Sequence, residues 1–373
     1  MNPHIRTLIV SAVAFCATVT PVLAQSTGAD AEKRTSIHGF ASFAYTYRFD
    51  RPVDGPNELR VFDGVARRFR LDVAELVVER SASEPGRFGY RADVVTGFSI
   101  PRISAASGLF RNPSTGVVSP EDLDIQQAFL SYVAEVGHGI RVDAGKFTTH
   151  VGAEVIEGFD GFGDTYSRGL LFGFAEPFTH TGVRFGYTFT PAVSATVMVV
   201  NGWDNVRDNN RAKSVGVQFA LKPSKTATMF LNYIGGPERA DSADRRHLID
   251  IVSVVTPRPG TTLTVSADLG RESGAAGGST ATWYGVSGSV KTEITPVASV
   301  AVRAEWFSDP QGTRTGVSQS LVSMTFSPAF KAGDHLVLRG EARLDRSSHV
   351  VFTGVNEPRR FQATTAFNAL VIF

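Results

Sequence analysis

From Ser36 to the last residue, apolar and polar side chains alternate in runs of about ten to fourteen residues. In Ser36–Phe49 the odd positions are Ile37, Gly39, Ala41, Phe43, Tyr45, Tyr47 and Phe49, and the even ones include Ser36, His38, Ser42, Thr46 and Arg48. Side chains of a β-strand alternate faces with period two, so each run is a strand between two different media. The same pattern marks 66–80, 87–99, 123–135, 138–147, 180–190, 192–201, 212–222, 224–234, 246–257, 260–271, 281–292, 296–308, 316–327, 333–346 and 358–373, giving 16 strands with the first. Two are irregular. In 66–80 the apolar phase shifts between Val73 and Leu76, which predicts a bulge, and in 246–257 both faces are mixed.

The connections alternate short and long. The short ones are turns rich in proline and glycine: 81–86, 136–137, 191, 223–224, 258–259, 293–295 and 328–332. The long ones are polar: 50–65, 100–122, 148–179, 202–211, 235–245, 272–280, 309–315 and 347–357. Strands of this length suit a bilayer, which needs about 9–11 tilted residues. Strands in soluble sheets centre near five or six. The competing reading is a soluble β-sandwich or β-solenoid; a sandwich seldom needs so many long strands. The fold class expected is therefore all-β: a transmembrane antiparallel β-barrel of about 16 strands, with short periplasmic turns and long external loops.

The N-terminus agrees. Arg6, the apolar run Leu8–Val19 and the Val22-Leu23-Ala24 cleavage site read as a signal peptide over 1–24. A short N-terminal segment, 25–35, precedes the barrel at 36–373. The one cysteine, Cys16, lies inside the signal peptide, which excludes disulfides and thiolate metal sites from the exported chain. Cleavage also removes Arg6, leaving 36 basic against 36 acidic residues, a balance that gives nucleic acid no purchase. No later stretch approaches the apolar length of a transmembrane helix.

Alternation assigns Arg48, Arg70, Arg91, Arg141, Arg184, Arg303, Glu305, Arg339, Glu341 and Arg343 to the inward face, with Asp72, Asp93, Asp143 and Asp268. An Arg or Lys facing lipid at mid-depth costs about 2–4 kcal/mol, which forces these charges inward or to the rims. Most would simply pair and keep a wet interior soluble; an arginine-rich wall would also bias permeation toward anions.

Catalytic constellations are missing from the sequence. Gly285-Val-Ser-Gly288 lies within a strand and is not a nucleophile elbow, and the histidines are scattered. The oxygens of Asp204, Asn205, Asp208, Asn209 and Asn210 suit a hard cation, but their spacing is not that of an EF-hand and a solvated loop is the better reading. No enzyme activity, cofactor or metal is expected.

Two segments resemble a known family. Leu123-Asp-Ile-Gln-Gln-Ala-Phe-Leu-Ser-Tyr132 with Val142-Asp-Ala-Gly-Lys-Phe147 and Gly152-Ala-Glu154 is similar to the OmpL-like β-barrel porins. So is Val199-Val-Asn-Gly-Trp-Asp-Asn205 with Asp208-Asn-Asn210 and Lys213-x-Val215-Gly216. Ala-Gly-Lys-Phe is shared more loosely with phosphate-selective porins. The resemblance implies a bacterial outer-membrane pore, and the function expected of this chain is passive diffusion of small hydrophilic solutes or ions. The alternative is a non-transporting barrel, an adhesin or scaffold. The partners implied are outer-membrane lipid and lipopolysaccharide, the barrel-assembly machinery that reads a C-terminal aromatic such as Phe373, small solutes and a homo-oligomer. General porins fold their third external loop into the lumen. The third and longest loop here, 148–179, carries Glu154, Glu157, Asp160 and Asp164 beside Arg168, and is the candidate constriction; the alternative is an external loop that packs on the rim. Inside the barrel its acids would face the basic wall across a narrow gap.

Overall fold

The runs that alternate in the sequence are strands in the computed structural model, which describes residues 34–49, 56–112, 114–115, 117, 121–240 and 242–373. The expected signal peptide, and all of the N-terminal segment before Arg34, lie outside the described residues. The strands are β1 Ser36–Arg48, β2 Phe69–Arg80, β3 Phe88–Thr96, β4 Leu123–Ala134, β5 Ile140–Thr148, β6 Thr179–Thr190, β7 Val193–Val200 and β8 Ser214–Ser224. They continue as β9 Ala227–Pro237, β10 Arg245–Arg258, β11 Thr261–Ala276, β12 Ser279–Thr295, β13 Ala298–Asp309, β14 Gln319–Ala332, β15 Leu336–Ser347 and β16 Phe361–Ile372. Each pairs antiparallel with its chain neighbours, and β1 closes the ring on β16, with Phe40 opposite Ile372. Beyond that register, Gly39 and Phe373 exchange both backbone hydrogen bonds. A 16-stranded closed antiparallel barrel leaves no open edge, which is what a lipid environment demands.

The polarity is the reverse of a soluble protein's. Phe43, Phe69, Leu130, Val265, Met324 and Phe367 are exposed on the outer face, whereas Arg48, Arg70, Asp93, Arg339 and Asn368 are buried within. Aromatic pairs mark both ends of the apolar band. Tyr45–Phe69 and Tyr284–Trp306 lie toward the long loops, with centroids 4.8 and 5.5 Å apart. Phe88–Tyr132 and Tyr187–Phe189 lie toward the short turns, at 4.5 and 5.0 Å. Such belts are where amphipathic rings meet a membrane interface.

The predicted bulge exists, displaced toward the start of β2: Ser42 faces Val73 and Phe43 faces Leu71, leaving Asp72 as the extra residue. The expected long loop 272–280 is a correction. β11 and β12 run on past the band and turn at Gly277-Gly278 alone. Both glycines have positive φ, 59° and 92°, the conformation that a two-residue hairpin turn requires. Conversely, the loop between β3 and β4 contains a helix, α1, Ile100–Ser107.

Candidate functional site

The third loop, residues 149–178, leaves β5 and returns at β6, yet it touches strands on the far wall. Only a path through the barrel allows this. At its base the Asp204 carboxylate accepts hydrogen bonds from the backbone N–H groups of Phe178 and Thr179, at 2.6 and 3.1 Å. His150 is wedged against the carbonyl of Tyr233 on β9, and burial with His180 beside it pushes its pKa down to about 3, so it stays neutral.

Further in, Glu154 pairs with Arg303 of β13 at 2.9 Å. Glu157 accepts from Arg339 of β15 and Ser42 of β1 and lies 3.4 Å from Arg168. Burial alone would raise the Glu157 pKa; the two guanidinium groups outweigh it and hold the carboxyl below its usual range. Phe159 stacks on His38 of β1 with centroids 4.1 Å apart. Asp160 accepts from Arg91 of β3 at 2.8 Å, and Asp164 pairs with Lys291 of β12 at 2.6 Å. Burial pushes the Asp160 pKa up to about 6 despite Arg91.

The returning limb is bound as closely. The Tyr166 hydroxyl donates to Asp72 and accepts from Arg70. Glu341 and Glu305 accept from the backbone N–H groups of Ser167 and Leu170, and Arg343 donates to the Ser167 hydroxyl. A π-helical turn, Leu171–Ala175, then joins one buried apolar cluster with Phe147, Met198, Val200, Ile234, Leu248, Trp283, Phe307 and Leu321, all near the long-loop ends of their strands. The Trp283 indole N–H donates to the carbonyl of Ala175. These inward apolar residues were missed from the sequence, although each of five has an apolar neighbour that faces outward: Val199-Val200, Leu248-Ile249, Trp283-Tyr284, Trp306-Phe307 and Leu321-Val322.

Of the ten charges assigned inward, Arg48, Arg70, Arg91, Arg303, Glu305, Arg339, Glu341 and Arg343 are buried inside; Arg141 and Arg184 are part-buried there. Many are neutralised on their own strand. Arg70–Asp72, Arg91–Asp93, Arg141–Asp143, Arg303–Glu305 and Arg343–Asp345 are ion pairs at 2.8–3.1 Å between residues two apart. Residues i and i+2 share a face of a strand, so this spacing builds the pair. Arg184 bridges to the same Asp143 at 2.8 Å. The loop acids therefore touch their basic partners rather than facing them across a gap. Glu157 is a buried anchor within the loop, while Glu154, Asp160 and Asp164 keep 18–25% of their side chains open, as does Lys291.

The motif residues converge too. Lys146 of Ala-Gly-Lys-Phe forms a buried ion pair with Asp124 of Leu123–Tyr132 at 2.8 Å, and Gln127 donates to Asp93. Asp208 pairs with Lys213, and Asn209 and Asn210 bond to Glu238 and Pro237 carbonyls, so the loop after β7 uses these polar groups internally.

A family model described as "Putative beta-barrel porin-2, OmpL-like" matches residues 34–373. No curated protein matches the sequence. Among solved structures, the outer membrane channel DcaP of Acinetobacter baumannii superposes with a TM-score of 0.61 at 9% identity, covering 91% of this chain and 97% of that one. The anion-selective porin from Comamonas acidovorans gives 0.60 at 8% identity, over 91% and 99%. A trimer form of OmpT, an outer membrane protein of Vibrio cholerae, gives 0.56 at 9% identity, over 91% and 99%.

Proposed function

This chain belongs to the OmpL-like β-barrel porin-2 family, which places it in the bacterial outer membrane as a channel protein, and on that premise we propose that it passes small hydrophilic solutes or ions by passive diffusion. The observation that carries the reading is the closed barrel with an apolar outer face and a charged, hydrogen-bonding inner face. Such an interior lowers the barrier to a hydrated ion that lipid would refuse. The third loop supports a narrow path, bordered by Glu154, Asp160, Asp164 and Lys291, rather than an open bore. No step of covalent chemistry enters this reading. Lipid and lipopolysaccharide around the apolar band, delivery by the barrel-assembly machinery through the β16 end, and assembly of several copies are part of the same proposal.

A second reading has its own observation. The inward charges of β13 and β15 are paired and buried beneath the loop, as a barrel serving only as an adhesin or scaffold would allow. Planar-bilayer recording separates the two. Discrete conductance steps from folded protein support the channel. Silence, beside a porin control that conducts in the same membrane, rejects it.

A further inference from the structure

We propose that Glu176, Asp250 and Asp268 form a site for one divalent cation of the calcium type, which fastens the returning end of the third loop to the barrel wall. Glu176 follows the π-helical turn; Asp250 of β10 and Asp268 of β11 sit directly opposite each other in register. One carboxylate oxygen from each lies within 4.8 Å of the other two, and all three residues are buried. Calcium takes carboxylate oxygens at about 2.3–2.6 Å, so a single ion can hold three oxygens gathered within that limit. Magnesium demands near-octahedral geometry and keeps several of its own waters, which suits a buried set of three carboxylates less.

The distribution of donors points the same way. Asp250 is oriented by the backbone N–H of Gly152 at 3.0 Å, the Asn232 amide at 2.6 Å and the Ser266 hydroxyl at 3.3 Å. Gln218 in turn fixes the Asn232 amide. Asp268 is only 5% exposed, and among the described residues no N–H or hydroxyl reaches either of its oxygens; Glu176 Oε2 is equally bare. The charges acting most strongly on Glu176 are themselves acidic: Asp268, Asp250 and Glu154. Buried carboxylates in this state need either shared protons or a cation. One proton joins two oxygens; one cation joins all three carboxylates. Gly152 leaves the space. A Cβ there would lie 1.8 Å from Glu176 Oε2, and its φ of 90° already favours glycine.

The test uses the whole barrel refolded without lipopolysaccharide, which itself holds divalent cations. After EDTA treatment, equilibrium dialysis against calcium should give one ion per chain, and calcium should raise the unfolding temperature. Asp268→Asn and Glu176→Gln should each lose the stoichiometric ion and the calcium-dependent rise, while Asp208→Asn keeps both. If the parent binds no calcium above background, or binds it as well after Asp268→Asn, the site does not exist. A parent stabilised by mild acid and indifferent to calcium would mean protons hold the cluster, and would also overturn the proposal. Should neither acid variant fold, the parent's own stoichiometry decides.

Discussion

Glu157 of the third loop and Arg339 of β15 meet 2.5 Å apart, with side chains 8% and 1% exposed. Removing one partner of such a pair leaves a buried charge uncompensated, at a cost of about 3–5 kcal/mol. Glu157→Gln should therefore lower the unfolding temperature and loosen the loop, seen as larger and noisier single-channel currents. In Glu157→Gln with Arg339→Gln the two losses should not add. A single variant with parental stability and conductance would show that the pair does not anchor the loop.

Selectivity rests on the acids that keep an open side chain. Glu154→Gln, Asp160→Asn and Asp164→Asn together remove three negative charges from the interior and leave Arg303, Arg91 and Lys291 in place. The zero-current potential in a salt gradient should move toward anions, and Lys291→Gln should move it toward cations. At a separation below the Debye length of about 8 Å, salt screens these charges only in part. Unchanged potentials in both variants would place the conducting path elsewhere.

Acid should act through Asp160. Its pKa is pushed up to about 6 by burial, with Arg91 opposing and Asp93 and Glu79 adding repulsion. Above that pH the carboxyl is negative; below it the charge is lost and Arg91 is less compensated. Lowering the pH from about 7 to about 5 should shift the zero-current potential toward anions, and Asp160→Asn should abolish most of that shift. A variant that titrates like the parent would assign the response to another group.

Gly145 tests the shared Ala-Gly-Lys-Phe strand end. Its φ is 142°, and a Cβ would lie 2.1 Å from the carbonyl oxygen of Ala128 and 2.7 Å from the Phe129 Cα. Those are backbone atoms and cannot step aside. A non-glycine residue in such a conformation costs about 1–3 kcal/mol before the clash is counted. Gly145→Ala should yield little folded barrel by gel mobility without heating, and a normal yield would contradict this geometry.

Protease access should divide the basic residues of the loops. Arg239, in the loop between β9 and β10, has 43% of its side chain exposed, and Arg168 has 3%. Trypsin on intact cells should cut at Arg239 and spare Arg168. Cleavage at Arg168 would mean that the third loop leaves the interior in the living membrane.

The strands were legible because lipid and water impose opposite demands on alternate residues, so a period of two survives in the chain itself. The Gly277-Gly278 turn was hidden by the same logic. Beyond the band both faces are wet, and Arg271–Ala276 has no apolar face by which a strand would be recognised. The loop's inward path was expected from the resemblance, but its partners were not readable, since Glu157 and Arg339 are far apart in the chain and only closure of the barrel brings them together. The pairs of residues two apart, such as Arg343 and Asp345, were legible in principle from spacing alone. The apolar cluster around Trp283 is signalled in the chain only by doubled apolar residues at strand ends, which strict alternation does not distinguish.

The pairing of Gly39 with Phe373 makes the barrel's assembly a matter of timing. Contacts between β1 and β16 join nearly opposite ends of the chain, so the loop to be closed is almost the longest the molecule offers. Until that happens, the first and last strands each present a row of unsatisfied backbone groups, tolerable in water and prohibitive in lipid. No stable halfway product is available in the membrane. A chain truncated before β16 should accumulate outside it and be consumed by periplasmic proteolysis, with the final seam acting as the checkpoint between a cargo and a membrane protein.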